Sequence, residues 1–408
     1  MSVHRRRDRL AALFVGVLAA LALAWVGTRI WRRSRPAVTL RQVADPLLDS
    51  DPERAQYAGA WNPATAPAGR RHLPRFPIPE SLAKRLFPIR RRDQPFDPLT
   101  YVRHLANRDD VFGCEEHAGG TFRMRTNSLG MREDTEPSAV PPDLRILVTG
   151  DSHVDGVCDN SESFPNVLEA QLARAHPGRS IEALNAAKGS FNFYSYVGTL
   201  EKFLDLRPDV FVVAVYGPND FEETLSAYHF FAGTPRPPGA ATYREEIRKA
   251  IAIRETWLAQ EGLSLKYFQR NPGEIPVALA AAELALLDIE DLCRDRSIGL
   301  LVVYLPGLFD TYRRRGVRDE ATEALMHRLD EALELETADL GVHDRMADEL
   351  LQFLAARGIA TLDARAVFAG KTGPFFWKAD FHLDVDGHRA IGEALVPAIE
   401  QLAAGRLR

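Results

Sequence analysis

Cysteine is scarce. Cys114, Cys158 and Cys293 are too few for a disulfide scaffold, and their spacing fits no zinc motif. The odd count allows one bridge, and Cys114 with Cys158 is the expected pair if the body lies in an oxidising compartment. A charge excess is missing too: 51 basic against 56 acidic residues leave −5, so nothing global points to nucleic acid. Long apolar runs are absent with one exception, which excludes a multi-span membrane protein. With 46% hydrophobic and 26% charged residues, a disordered chain is excluded as well. At roughly 150 residues per domain, 408 residues allow two or three domains, or one large domain with extensions.

The exception is Leu10 to Gly27, which carries no charge. At 1.5 Å per residue it spans about 27 Å as a helix, enough for a bilayer core. Residues 1–35 hold eight Arg and one Asp; the remaining residues carry 43 basic against 55 acidic groups. A basic tail (1–9), a single transmembrane anchor (10–27) and an acidic body are therefore expected. Ala22-Leu23-Ala24 leaves a cleaved signal peptide as the alternative. Four Arg on each flank give the positive-inside rule little to use. A short tail before a large domain suggests an extracytoplasmic, periplasmic body. Residues 36–98 contain 11 of the 26 prolines, so 28–100 reads as an extended arm; Arg85, Arg90, Arg91 and Arg92 make a basic cluster within it.

Residues 101–408 form the body, with its regular core at 145–408. Strands are expected at Arg145–Gly150, Ile181–Ala186, Val210–Tyr216, Leu300–Leu305 and Ala360–Asp363. Helical patterns occupy Ser163–Ala175, a stretch around Tyr196–Leu204, Ala280–Cys293, Glu320–Arg357 and Gly392–Ala404. Strands that alternate with helices imply a doubly wound parallel sheet, which binds ligands at the carboxyl ends of its strands. Residues 222–278 interrupt the alternation with prolines and aromatics, Tyr228, Phe230, Trp257 and Tyr267 among them. They form either a lid over the site or an insertion packed elsewhere.

Four strand ends carry chemistry. The first delivers Gly150-Asp151-Ser152, a hydroxyl on a strand-to-helix turn. The second delivers Gly189, the third Gly217-Pro218-Asn219-Asp220, and the last is followed by Asp380-Phe381-His382. Nucleophile, oxyanion donors, base and orienter are the parts of an acyl-transfer site. There is no Gly-x-Ser-x-Gly elbow, which argues against an α/β-hydrolase. Gly370-Lys371-Thr372 lacks the earlier glycine of a phosphate loop, because position 365 is Arg365. His382, Asp384, Asp386, Gly387 and Glu393 follow an EF-hand pattern except at its first position. No metal and no cofactor are expected.

These four blocks resemble the SGNH (GDSL-type) hydrolases. Gly150, Asp151 and Ser152, extended by Gly156, match the first block. Gly189 matches the second, Gly217, Asn219 and Asp220 the third, and Asp380 with His382 the last. The resemblance spans about residues 125–400 and includes Arg125-Thr126-Asn127-Ser128-Leu129-Gly130. It implies a three-layer flavodoxin-like fold. It also implies a Ser152-His382-Asp380 triad, with Ser152 N–H, Gly189 N–H and Asn219 as the oxyanion hole. The usual spacing is Asp-x-x-His; the shorter Asp-x-His resembles polysaccharide O-acetylation proteins such as the alginate acetylation group. The expected activity is a serine esterase acting on an acyl ester, with acetyl favoured and acetylated carbohydrate a candidate substrate. The alternatives are an O-acyltransferase on an extracellular polysaccharide and a catalytically silent glycan-binding member. His388 competes with His382 as base but fits better as a structural residue opening the last helix. His153 is either a substrate contact or a packed turn residue.

Overall fold

The computed structural model describes residues 72–87, 94–237, 258–316, 320–379 and 381–407. The expected anchor at 10–27 lies outside them, as do residues 28–71 and Arg90, Arg91 and Arg92 of the arm. No helix among the described residues is long and apolar enough to cross a membrane.

The described chain opens with a short helix, α1 (Glu80–Leu86), and two antiparallel pairs. These are β1 (Phe96–Asp97) with β2 (Tyr101–Val102), and β3 (Asp109–Gly113) with β4 (Thr121–Arg125). The α/β core follows in chain order. It comprises β5 (Leu144–Thr149), α2 (Ser152–Asp155), α3 (Phe164–Ala175), β6 (Ile181–Asn185), α4 (Phe193–Phe203), β7 (Val210–Tyr216) and α5 (Gly217–Ala232). Then come α6 (Leu258–Arg270), α7 (Glu274–Arg296), β8 (Gly299–Leu305), α8 (Leu308–Arg315), α9 (Glu320–Ala332), α10 (Val342–Ala356), β9 (Ala360–Asp363), α11 (Ala364–Ala369) and α12 (Val385–Leu402).

Five strands form one parallel sheet in the order β6-β5-β7-β8-β9. Its central strands β5 and β7 are buried at every position, and β7 carries no charged residue, because both faces are covered. Leu147, Phe211, Val213 and Val302 point into one core with α4, α5, α7 and α10. Ile146, Val148, Val212 and Val303 point into the other with α3, α8, α11 and α12. The result is a three-layer α/β fold. The chain leaves β5 for β6 on one side, then crosses back to β7 on the other. The crevice beyond the carboxyl ends of β5 and β7 is therefore the switch point where ligands bind in such sheets.

The five sheet strands stand where the sequence places them, within a residue or so. The helices differ more. No helix is expected directly after the third strand, yet Gly217 continues from β7 into α5 with Pro218 in its first turn, where a missing N–H costs nothing. The pattern at Glu320–Arg357 is two helices, broken where Glu334 takes φ +52°. Of the 222–278 stretch, residues 238–257, including Trp257, lie outside the described residues. Phe230, Tyr267 and Phe268 are buried in the core beside α7. From His72 on, the Pro-rich arm lies along the body rather than extending from it. Leu73, Phe76, Leu82 and Phe87 are buried, Arg75 pairs with Glu201, and Tyr194 Oη donates to Pro74 O at 3.1 Å.

Candidate active site

Ser152 sits at the first turn after β5. Gly150 makes that turn possible: a Cβ there would stand 2.1 Å from Val154 Cγ2 and 3.1 Å from Ala214 O. Asp151 caps α2, its Oδ1 accepting the His153 N–H at 2.9 Å. Ser152 itself is half-buried, so its hydroxyl faces the crevice.

His382 arrives from 230 residues later, and its Nε2 lies 2.8 Å from Ser152 Oγ. The loop that brings it is tightly wound. Trp377 N–H donates to His382 O at 2.9 Å, Phe381 N–H donates to Trp377 O at 2.8 Å, and Phe381 takes φ +67°. Asp384 then caps α12 by accepting the Gly387 N–H at 2.8 Å. Its carboxyl is pushed up to about 6, first by burial. Two residues of the EF-hand pattern are thus engaged otherwise, His382 with Ser152 and Asp384 with the helix cap. Asp380 lies outside the described residues.

Asn219 stands in the first turn of α5, beside β5 in the sheet. Its Nδ2 donates to Asp151 Oδ2 at 3.3 Å. An amide nitrogen has two hydrogens, and this bond uses one of them. Burial pushes the Asp151 carboxyl up to about 6, against the donors around it. Asp220 is fully buried and accepts from Tyr196 Oη at 2.6 Å and Tyr216 N–H at 2.8 Å, which fixes the start of α5. Gly217 leaves room for Tyr304, whose hydroxyl would lie 2.0 Å from a Cβ there.

Gly189 is adjacent to Ser152: a Cβ at 189 would stand 3.5 Å from Ser152 Cβ. Its N–H, expected at the oxyanion hole, donates to Asp155 Oδ2 at 3.0 Å. His388 has the structural place the sequence favours. It is fully buried, and its Nδ1 accepts the Phe164 N–H at 3.2 Å. Burial pushes its imidazole down to about 3. His153 is a packed residue next to the site. Its ring stacks on Tyr216 with centroids 3.6 Å apart and lies 4.7 Å from the His382 ring; burial holds it well below the ordinary histidine value. The expected Cys114–Cys158 bridge does not form: none of the three cysteines is in a disulfide, and burial pushes the Cys158 thiol up to about 12.

Several supporting residues escaped the sequence reading. Three consecutive carbonyls of the loop after α2 are held by side chains. The buried Arg132 donates to Gly156 O and Cys158 O, and Trp377 Nε1 donates to Val157 O at 2.9 Å. Trp377 thereby ties the loop that carries His382 to the loop that follows Ser152 and α2. Glu116, from the β3–β4 turn, accepts the Lys378 and Ala379 N–H groups at 2.9 and 2.6 Å. Gly156, at φ +83°, has no room for a Cβ between Arg132, Cys158 and His388. Among the described residues, His117, Asp159 and Glu162 could converge on an ion. However, Glu162 pairs with His117 at 2.8 Å and Asp159 accepts the Arg123 N–H at 2.6 Å.

No protein-family profile matches the chain, and neither does any curated protein sequence. Solved structures with similar folds include TesA (13% identity, TM-score 0.30, covering 63% of this chain and 99% of that one). Another is the acetyl xylan esterase AlAXEase (11%, TM-score 0.35, 63% and 100%). A third is a lipase/acylhydrolase from Enterococcus faecalis (13%, TM-score 0.31, 63% and 96%). These likenesses are distant, and the functional reading rests on the site itself.

Proposed function

We propose that the chain is a serine esterase of the SGNH type that cleaves an acyl ester, with acetyl favoured, at Ser152. The observation that carries this reading is the 2.8 Å contact between Ser152 Oγ and His382 Nε2 at the switch point of the sheet, with Asn219 on the neighbouring strand end. A serine hydroxyl is a weak nucleophile until a base within hydrogen-bond reach takes its proton.

In the proposed cycle His382 Nε2 accepts the Ser152 proton as Oγ attacks the ester carbonyl. The carbonyl oxygen becomes an oxyanion, held by Asn219 Nδ2 and the Ser152 N–H at the start of α2. His382 then delivers its proton to the leaving alcohol, and Ser152 carries the acyl group. Water, deprotonated by His382, releases the acid and restores the hydroxyl. Asp380 is the proposed orienter of His382. The cycle uses no metal or cofactor. Residues 10–27 are proposed as a single membrane anchor, with the body at the periplasmic side; acetylated carbohydrate is the proposed substrate class.

The test is hydrolysis of p-nitrophenyl acetate by the intact chain. Ser152→Ala and His382→Ala are expected to lose activity with the fold intact, and His388→Ala to keep it where it folds. Full activity in Ser152→Ala would refute the nucleophile assignment. Supplying excess oligosaccharide in the same assay separates hydrolysis, which yields free acetate, from transfer, which yields acetylated sugar.

A further inference from the structure

The loop after β6 is stitched to the nucleophile helix. Asn185 Nδ2 donates to Val154 O at 3.1 Å, Lys188 N–H to Gly150 O at 3.2 Å, and Gly189 N–H to Asp155 Oδ2 at 3.0 Å. Ser190, next in the loop, takes φ +79°, a costly conformation for a residue with a Cβ. Such a loop holds its shape only if its surroundings fix it. Asp155 is one turn beyond Ser152 on α2, and its other oxygen, Oδ1, lies 2.9 Å from His104 Nε2. His104 is buried and belongs to the segment after β2, outside the α/β core.

The position of His104 is itself set by the Arg125–Gly130 motif. Gly130 takes φ +76°, and a Cβ there would lie 2.9 Å from His104 O. Asn127 Oδ1 shapes the same turn by accepting the Leu129 and Met131 N–H groups, each at 3.0 Å. A continuous line of contacts therefore runs from the Asn127–Gly130 turn through His104 and Asp155 to Gly189. Against the cost of its burial, Asp155 is held below the usual carboxylate range by His104, Lys188 and Arg132, so it meets the N–H as an anion. A backbone N–H has one hydrogen, and Gly189 donates it to Asp155.

We infer that Asp155 and His104 are a positioning pair that clamps the Gly189 loop against Ser152, taking the Gly189 N–H out of the oxyanion hole. The hole is then made by Asn219 and Ser152 N–H, and Gly189 acts as the close, side-chain-free wall beside the nucleophile. This rests on the esterase reading and extends it to residues that no block of the sequence marks.

The test compares Asp155→Ala, Asp155→Asn, His104→Ala and the parent, with kcat normalised to sites titrated by a fluorophosphonate. Hydrogen exchange at the Gly189 amide is measured on the same samples. Asp155→Ala should lower kcat about 10–100-fold with KM within about threefold, since a loosened wall misplaces the reacting atoms. Its Gly189 amide should exchange fast. Asp155→Asn keeps an oxygen for the Gly189 N–H and should recover most of kcat and of the protection; His104→Ala should fall between. Unchanged exchange and kcat in Asp155→Ala would overturn the inference. So would a kcat that rises, which would mean that the freed N–H joins the hole. A parent chain that shows Gly189 protection but neither labels nor hydrolyses esters would instead refute the esterase reading, while the loop clamp would stand.

Discussion

Replacing Gly150 by alanine should damage stability and catalysis together, and a second substitution should partly undo both. The new methyl would lie 2.1 Å from Val154 Cγ2 and 3.0 Å from its Cβ, where carbon atoms normally sit about 3.5–4.0 Å apart. Val154 is fully buried and β-branched, so it has little freedom to rotate away. The strain of such overpacking is about 1–3 kcal/mol. Relief by moving the turn would shift Ser152, two residues on, relative to His382, and a displacement on the order of 1 Å costs about 10²-fold in rate. Val154→Ala alone removes buried methyl groups at a cost of about 1–2 kcal/mol. It also removes the 2.1 Å clash with Cγ2 and leaves the closer limits of 3.0 Å to the Cβ at position 154 and 3.1 Å to Ala214 O. The double variant should therefore be more stable than the sum of the singles by about 1 kcal/mol or more, with part of kcat restored. Urea unfolding gives the stabilities, and ester hydrolysis per titrated site gives kcat. Gly150→Ala with parent stability and rate, or strict additivity in the cycle, would refute the packing argument.

Two further outcomes are expected. Asn219→Ala should lower kcat about 10²–10³-fold with a smaller change in KM, because its free N–H serves the developing oxyanion; a pure KM effect would make Asn219 a substrate-binding residue. Glu133 accepts the Asn185 N–H at 2.6 Å, and burial pushes its carboxyl up to about 8. A folded-state value raised above the unfolded one means that the folded state binds the extra proton. The contribution to stability is full below about pH 4.5 and declines as pH rises through 8. Glu133→Gln, always neutral, should thus gain on the parent by about 1 kcal/mol or more at pH 9 relative to pH 5 in paired unfolding curves; parallel curves would contradict the assignment.

The parts of the molecule that were legible in the sequence share a physical cause. Val210–Tyr216 and Leu300–Leu305 read as buried strands because both faces of the sheet are covered, leaving no polar position to confuse the pattern. Ser152, Gly189 and Asn219 could be expected close together because each follows a strand, and the sheet order brings those strand ends side by side. Other features left little or no local signal. In the β3–β4 hairpin, Thr121–Arg125 does alternate, with Phe122 and Met124 buried, but its partner Asp109–Gly113 carries no apolar alternation, so the pair leaves a signal on one strand only. The Pro-rich arm hides Leu73, Phe76 and Leu82 among residues that exclude a long helix, and their burial needs the partner surfaces of α4, α5 and α7. His104 and Asp155 lie 51 positions apart, and only the folded chain makes them neighbours. The absent Cys114–Cys158 bridge has a similar origin: Cys158 is fully buried behind Arg132 and Gly156, whereas Cys114 sits in the β3–β4 turn.

Whether Ser152 is a nucleophile activated by His382 is decided by labelling with a fluorophosphonate followed by peptide mass spectrometry. The probe phosphonylates a serine only where a base removes its proton and fluoride can leave. One adduct is expected, on Ser152, lost in Ser152→Ala and slowed at least about 10²-fold in His382→Ala. No adduct on the folded parent chain, or an adduct on another serine that survives Ser152→Ala, would contradict it.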